Sequence, residues 1–389
     1  MANYYGNDTN NTVATGFLHY YGGDGDDLLE GIANGGSQQF YGGQGNDLLL
    51  GSKHTTGTIA GDGGPSTPFT FTSFDDAPFG ADLLEGGSGD DYIAGGGGDD
   101  TLYGGDGNDA AIGFSNTANW KLGLYGGDGN DFIDGGSGND EVYGGNGSDV
   151  LFDASGNNTN YGDAGDDIFY VVNGNSLVYG GSGNDYVVNV GTAAGGQLSG
   201  DDGNDTLVGA AGREVLFGGN GNDFLYQGSS GGYQYGGSGD DIGIGANNAN
   251  DIFVAGDGND TVFGNGGLDY YYMGNGNDQM FGGVGTDVMQ GEAGNDYMDG
   301  GESVNYYFGG AGADTFVVRD QAAVQVVQDW TTEDIIRFEG SAFTSFADVL
   351  SHSYQNGAYF VVQVDTDTAV WLNGATASTL TAGNFSIVS

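Results

Sequence analysis

Cysteine is absent from this 389-residue chain, and only Lys53, Lys121, Arg213, Arg319 and Arg337 carry a fixed positive charge. The first absence excludes a disulfide framework, a thiolate metal site and a cysteine nucleophile. The second stands against 54 acidic residues and a formal charge of −49. It excludes nucleic acid as a partner, because phosphate backbones are held by Lys and Arg. It argues equally against anionic membrane surfaces. The three histidines, His19, His54 and His352, are too scattered to suggest zinc. No run of about 18 apolar residues exists, so no transmembrane helix and no membrane insertion are expected. The amino terminus, MANYYGNDTNNTV, has neither a basic region nor an apolar core and is not expected to act as a signal peptide. G-x-S-x-G, H-E-x-x-H and phosphate-loop motifs are all missing. Acid pairs are so frequent that a glycosidase-like pair arises by chance.

A charge this large opposes compaction and, alone, would suit an acidic disordered chain. Two features count against disorder. Aromatic residues make up 13% of the chain, with 24 Tyr and 22 Phe, and the acids recur at fixed spacing. The recurring unit is G-G-x-G-x-D-x-U-x, with U a bulky apolar residue. Examples are GGDGDDLLE at 22–30, GGQGNDLLL at 42–50, GGSGDDYIA at 86–94, GGDGNDFID at 126–134, GGSGNDYVV at 180–188 and GGNGNDFLY at 218–226. Allowing one departure from the glycines gives 19 copies. Their sixth positions are Asp27, Asp47, Asp91, Asp100, Asp109, Asp131, Asp140, Asp149, Asp167, Asp185, Asp205, Asp223, Asp241, Asp260, Asp269, Asp278, Asp287, Asp296 and Asp314. Successive spacings are 9 or 18, apart from 19, 20, 22 and 44 at insertions. Ordinary turn chemistry explains the residue types but not this register.

The glycine-rich half must turn tightly, and the x-U-x half is a short strand with U inward and its neighbours outward. Two such units make an 18-residue coil with two facing sheets. Stacked coils bring equivalent aspartates about 4.8 Å apart. At that distance like charges repel by about 1–3 kcal/mol per neighbour. Cations must therefore accompany the fold. Ca²⁺ suits it, as a hard ion taking 6–8 oxygens, backbone carbonyls included, whereas Mg²⁺ demands tighter octahedral geometry.

From about residue 20 to 318 the chain resembles the RTX (repeats-in-toxin) family of secreted Gram-negative proteins. The resemblance implies an all-β fold: a right-handed parallel β-roll, a two-sheet solenoid with multiple Ca²⁺ ions between the loops of successive coils. The motif aspartates would be ligands, with loop glycines Gly87, Gly89, Gly105, Gly107, Gly127, Gly129, Gly136, Gly138, Gly181, Gly183, Gly219, Gly221, Gly237, Gly239, Gly283 and Gly285. Residues 1–20 would be an N-terminal cap or partial first coil. Residues 21–318 would form the roll, with inserted loops at about 51–80 and 113–124. Residues 319–389, including VVQDWTTEDIIRFEG, YFVVQVD, AVWLNG and AGNF, resemble the β-rich C-terminal cap and secretion region of that family. A last coil exposes a sheet edge that needs such a cover. A short helix is expected near 345–352, and Phe385 and Ile387 suit an apolar secretion tail.

The register adds detail. Spacings of 9 near the ends put the motif on both edges of the roll; from Asp149 to Asp241 the spacing becomes 18, with one step of 20. In that stretch the other edge carries VVNGNSLVY, GAAGREVLF and QGSSGGYQY, whose sixth positions are Ser176, Glu214 and Gly232. Asn305 is another degenerate position, and Glu214 could still donate a carboxylate. A continuous row on one edge and an interrupted row on the other are expected. Outward positions of the middle strands are unusually apolar: Val150, Phe152, Ile168, Tyr170, Tyr186, Val188, Phe224, Tyr226, Ile242 and Ile244 on one sheet, Leu177, Tyr179, Val215, Phe217, Tyr233 and Tyr235 on the other. Stacked ladders along the sheet and a contact surface both explain them.

About 20 residues precede the repeats, so no enzyme is expected. The expected function is a secreted, extracellular or cell-surface structural protein that folds on extracellular Ca²⁺ and self-assembles into a layer, filament or matrix. Its expected partners are other copies of itself and, in transit, type I secretion machinery. The alternative is a calcium-dependent adhesin recognising a cell-surface polysaccharide or another surface, with the 51–80 loop as a contact element.

Overall fold

A computed structural model describes residues 3–5, 12–14, 19–25, 27–30, 39–45, 47–50, 83–89, 92–94, 101–112, 123–172, 174–191 and 195–388. The chain is an all-β parallel β-roll in two compact units, Met1–Asp202 and Gly203–Ser389. The loop expected at 51–80 lies outside the described residues, as do Asp91, Asp100 and most of 113–124. Among the described residues no helix is long and apolar enough to cross a membrane.

In the first unit six-residue strands alternate with strands of three or four. Gly123–Asp128, Glu141–Asn146, Thr159–Ala164 and Leu177–Ser182 pair in parallel, each residue opposite the one a coil away, such as Tyr125 with Tyr143 and Tyr143 with Tyr161. The short strands Phe132–Asp134, Val150–Asp153, Ile168–Val171 and Tyr186–Asn189 do the same on the other face. The longer strands include the two glycines that open the turn, so each loop begins while still paired. The second unit repeats the scheme, for example Val215–Asn220 with Tyr233–Ser238 and Phe224–Tyr226 with Ile242–Ile244.

Strand alternation puts the U residues inside. Leu124, Ile133, Val178 and Val187 are fully buried in the first unit, and Leu207, Leu216, Met280, Met289, Met298, Tyr307 and Phe316 in the second. Among the described residues three U positions break the rule: Asn160 and Gln234 are buried amides, and Gly243 has no side chain. Outside, Tyr103, Tyr125, Tyr143, Tyr161 and Tyr179 form one ladder with ring centroids 4.7, 4.8, 4.8 and 5.1 Å apart. The spacing is that of the strands themselves, so sheet pairing sets the rings face to face. Phe217 and Tyr235 stack likewise at 4.8 Å. The ladder explanation thus holds for Tyr179, Phe217 and Tyr235. Tyr170, Leu177, Tyr186, Tyr233 and Ile242 remain exposed.

The end of the second unit departs from the repeat. Ala323–Val327 pairs with Ala369–Asn373, which continues antiparallel through Tyr359–Gln363 to Ser353–Asn356. The expected short helix is Phe346–Ser351, capped by Ser345, whose hydroxyl accepts the Asp348 N–H at 3.2 Å. Phe385–Val388 pairs with Ile335–Glu339, and Phe385 and Ile387 pack against the hydrophobic core of the second unit.

Candidate metal centre

Each loop is built around its sixth-position carboxylate. On the edge that follows the six-residue strands, the described aspartates of both units are buried. Each Oδ1 accepts the backbone N–H of the aspartate one coil earlier. Asp149 accepts from Asp131, Asp167 from Asp149 and Asp185 from Asp167, all at 2.8 Å. In the second unit Asp223, Asp241, Asp260 and Asp278 accept in the same way at 2.8 Å, and Asp296 and Asp314 at 2.9 Å.

Oδ2 is left for something else. In Asp131, Asp149, Asp167, Asp223, Asp241, Asp260, Asp278 and Asp296 it is buried and makes no hydrogen bond, and so it is in Asp269 and Asp287 on the opposite edge. A buried carboxylate oxygen without a partner is costly unless a cation answers it. The glycines show where that cation would sit. A Cβ on Gly126, a first-position glycine, would collide with Asp131 Oδ2 and with the carbonyl oxygen of Gly144 in the next coil. Gly162 stands in the same relation to Asp167 Oδ2 and the Gly180 carbonyl. A carboxylate oxygen and a carbonyl oxygen thus converge on a cradle that any side chain would fill. At the second and fourth positions the requirement is conformational as well: Gly127 has φ +118° and Gly129 φ +147°.

Burial pushes these carboxyls up: Asp131, Asp241, Asp278 and Asp314 to about 7, Asp167 and Asp269 to about 8, Asp149, Asp223, Asp260, Asp287 and Asp296 to about 6. The backbone N–H to Oδ1 works against the desolvation, and in Asp167 the charges of Asp149 and Asp185 add to it. A cation in the cradle would answer both the desolvation and the repulsion. Among the described residues no three His, Cys, Asp or Glu side chains converge on one point. A metal here must draw most of its shell from backbone carbonyls. That suits Ca²⁺, with its 6–8 oxygens at flexible geometry, and disfavours zinc. The residues fit the ion.

The sixteen glycines expected at the loops all lie at positive φ. They shape the turn, while the carbonyl that approaches Oδ2 belongs to the first-position residue of the next coil, a glycine such as Gly144 or Gly180, or Ala255 beside Asp241. Sequence reasoning underweighted that position, although the first letter of the motif marks it. It also missed Asp251 and Asp334. Asp251 is buried in ANNAND, a loop without glycine; its Oδ1 accepts from Gly232 N at 2.9 Å, its Oδ2 from Ala246 N at 2.8 Å, and its own N–H donates to Asp269 Oδ1 at 2.8 Å. Asp334 ends the other row: its Oδ1 accepts from Asp314 N at 3.1 Å and its Oδ2 from Thr331 N at 2.6 Å. Asp329 closes the last loop, accepting from Gly309 and Gly310 N at 3.0 Å. The signal for both missed aspartates was register alone, since Asp251 precedes Asp269 by 18 and Asp334 follows Asp314 by 20.

The fifth position is not free either. Asn130 N donates to Asn108 Oδ1 and Ser148 N to Asn130 Oδ1, both at 2.8 Å. From Asn222 to Ala313 the same exposed ladder continues. It explains the frequent Asn or Asp before the buried aspartate. On the second edge the aspartate row is interrupted, at Asn158 and Ser176 in the first unit and at Glu214, Gly232 and Asn305 in the second.

The chain matches the family described as RTX calcium-binding nonapeptide repeat (4 copies) over residues 32–54, 79–110, 124–151, 161–188, 190–226, 245–280 and 281–316, more than half of its length. No curated protein matches it. Among solved structures it is similar to the extracellular lipase LipA from Serratia marcescens, at 14% identity and a TM-score of 0.20. The match covers 72% of this chain, which spans 45% of that one.

Proposed function

Because the chain belongs to the RTX calcium-binding nonapeptide repeat family, we propose that it is a secreted structural protein that folds on extracellular Ca²⁺ and then self-assembles. Calcium binding is the family's property. Secretion, typical of the family, and assembly are the further steps. The observation that carries assembly is the outward face of the strands. Phe132, Tyr170 and Tyr186 are 39–43% exposed on the short-strand face of the first unit, as is Ile242 on that of the second. Tyr233 and Tyr270 are 36–39% exposed on the long-strand face. Soluble sheets put polar residues there, and aromatic and branched residues at exposed positions favour a protein contact. The partner we favour is another copy, because both units carry faces of the same kind and stack like with like inside the sheet. The role is structural rather than catalytic.

The carboxylate rows explain the order of events. When bound, calcium supplies the positive charge and open coordination shell that the unpaired Oδ2 atoms lack. Without it, the stacked aspartates repel by about 1–3 kcal/mol per neighbour and the coils come apart. A chain unfolded in a calcium-poor cytosol suits export through a one-step channel. Outside, at about millimolar calcium and site affinities of about 10⁻⁴–10⁻³ M, binding energy becomes folding energy.

Sedimentation and electron microscopy of the full chain in millimolar calcium, with and without excess chelator, test this. Ordered sheets or filaments that dissolve in chelator are expected. Monodisperse monomers at high concentration in calcium would overturn assembly while leaving calcium binding intact.

A further inference from the structure

The second edge keeps its turns where it loses its aspartates, and the same atoms show why. In its aspartate loops a Cβ on the first-position glycine meets a carboxylate oxygen: Gly264 faces Asp269 Oδ2, and Gly282 faces Asp287 Oδ2. In the loop 300–305 the first-position glycine faces a nitrogen instead. A Cβ on Gly300 would lie 2.5 Å from Asn305 Nδ2, and that amide donates to the Glu302 carbonyl at 3.2 Å. The Asn305 Oδ1 still accepts the Asp287 N–H at 2.9 Å, so the ladder is unbroken.

Two other loops exchange positions. In 153–158, DASGNN, an aspartate stands first, where the metal loops have glycine, and an asparagine stands sixth. Asn158 Nδ2 donates to Asp153 Oδ1, and Asn160 Nδ2 donates to Asp153 Oδ2 at 3.1 Å. All three residues are buried, and both carboxylate oxygens are answered. In 227–232, QGSSGG, the glutamine stands first and glycine sixth. A Cβ on Gly232 would collide with Gln227 Nε2, which donates to the Glu214 carbonyl at 3.1 Å.

We infer that the loops 153–158 and 300–305 exclude calcium: a side-chain amide occupies the coordination space and makes the hydrogen bonds that the ion would otherwise replace. In 227–232 the Gln227 Nε2 fills that space but its Oε1 stays buried without a hydrogen bond, so that loop stands outside the inference. An N–H₂ group is a donor and repels a cation, so one nitrogen in the cradle is enough to close it. Asn160 is then explained as well, since a buried amide at an apolar position is costly unless it has a partner such as Asp153. The residues that decide which of these coils take metal are Asp153, Asn158, Asn160 and Asn305. The second edge is a hydrogen-bonded seam in those coils and a metal edge in its aspartate loops.

The inference rests on the calcium reading, and one count separates the two. Calcium bound per chain is measured by equilibrium dialysis of the full-length protein with atomic emission, for wild type, Asn305→Asp and Asn158→Asp. Asn305→Asp keeps the Oδ1 acceptor and exchanges the nitrogen for oxygen beside Gly300 and Asp287, so it is expected to add one calcium per chain and raise the melting temperature only in calcium. Asn158→Asp sets a second carboxylate against Asp153 and is expected to lower the melting temperature in saturating calcium without adding an ion. An unchanged count in Asn305→Asp, or an added ion or tighter binding in Asn158→Asp, overturns the inference. A wild type that binds no calcium would instead overturn the reading beneath it.

Discussion

Replacing Asp167 by asparagine removes a charge and spares a hydrogen bond. Asp167 Oδ1 accepts the Asp149 N–H at 2.8 Å, which an asparagine Oδ1 does equally well. What changes is Oδ2, which is buried without a partner beside Gly162 and the Gly180 carbonyl. If that oxygen serves calcium, the variant weakens the sites shared with the loops before and after it. A site with an affinity of about 10⁻⁴ M contributes about 1.4 kcal/mol at 1 mM calcium, so the loss over two sites is about 3 kcal/mol. At the lowest calcium that supports the fold the loss should vanish. There the substitution relieves repulsion from Asp149 and Asp185, which already help raise the Asp167 carboxyl to about 8, and no loss is expected. Urea unfolding followed by circular dichroism, in 1 mM calcium and at the lowest calcium that still supports a folded baseline, measures the difference. Asp166→Asn is the control, because Asp166 is exposed and its Oδ1 accepts the Asn184 backbone N–H at 2.7 Å and the Asn184 Nδ2 at 3.2 Å, bonds that an asparagine oxygen also accepts; it should leave both values within about 0.5 kcal/mol. An equal loss at both calcium levels would refute the reasoning and make Asp167 a packing residue.

Acidity should compete with calcium. The metal-free folded carboxyls sit at about 6 to 8 against an ordinary 3.8, so their protonated folded form is favoured below about 4 and that stability is lost as pH rises through 6 to 8. Calcium must displace those protons, and the midpoint of a calcium titration should move to higher calcium from pH 8 to pH 6, by up to about tenfold per pH unit for each proton released. A midpoint independent of pH would show that the aspartates are not the ligands. Gly126→Ala puts a methyl group against Asp131 Oδ2 and the Gly144 carbonyl, where backbone cannot yield; dialysis should show at least one calcium lost, and melting a cost of about 1–3 kcal/mol. Tyr143→Ala breaks two stacks, with Tyr125 and Tyr161. It should cost about 1–3 kcal/mol in calcium with no change in the number of ions bound.

Much of this was legible because one physical requirement repeats. Glycine where the backbone must turn, an inward apolar residue and a buried acid recur in the amino-acid order, so coil length, sheet number and the main row follow from spacing. What escaped is what the local motif does not encode. Asp251 and Asp334 sit in loops without the glycine signature and are brought into line only by pairing with Asp269 and Asp314 a coil away. Asn160 occupies an apolar position because its partner, Asp153, lies seven residues back on the facing strand. The fifth-position ladder pairs Asn130 with Asn108 across 22 residues, a relation invisible within nine. The apolar outer positions were evident in the sequence, but their division into stacked rings such as Tyr179 and exposed ones such as Tyr186 depends on which neighbour lies one coil above and below.

The central claim is that the carboxylate rows make folding conditional on calcium, and a calcium titration of the full-length chain at pH 7.5, followed by far-ultraviolet circular dichroism, tests it most directly. A disordered spectrum in excess chelator that converts cooperatively to β-structure at about 0.1–1 mM calcium is the expected result. A β-rich spectrum already present in excess chelator, unchanged by calcium, would contradict it.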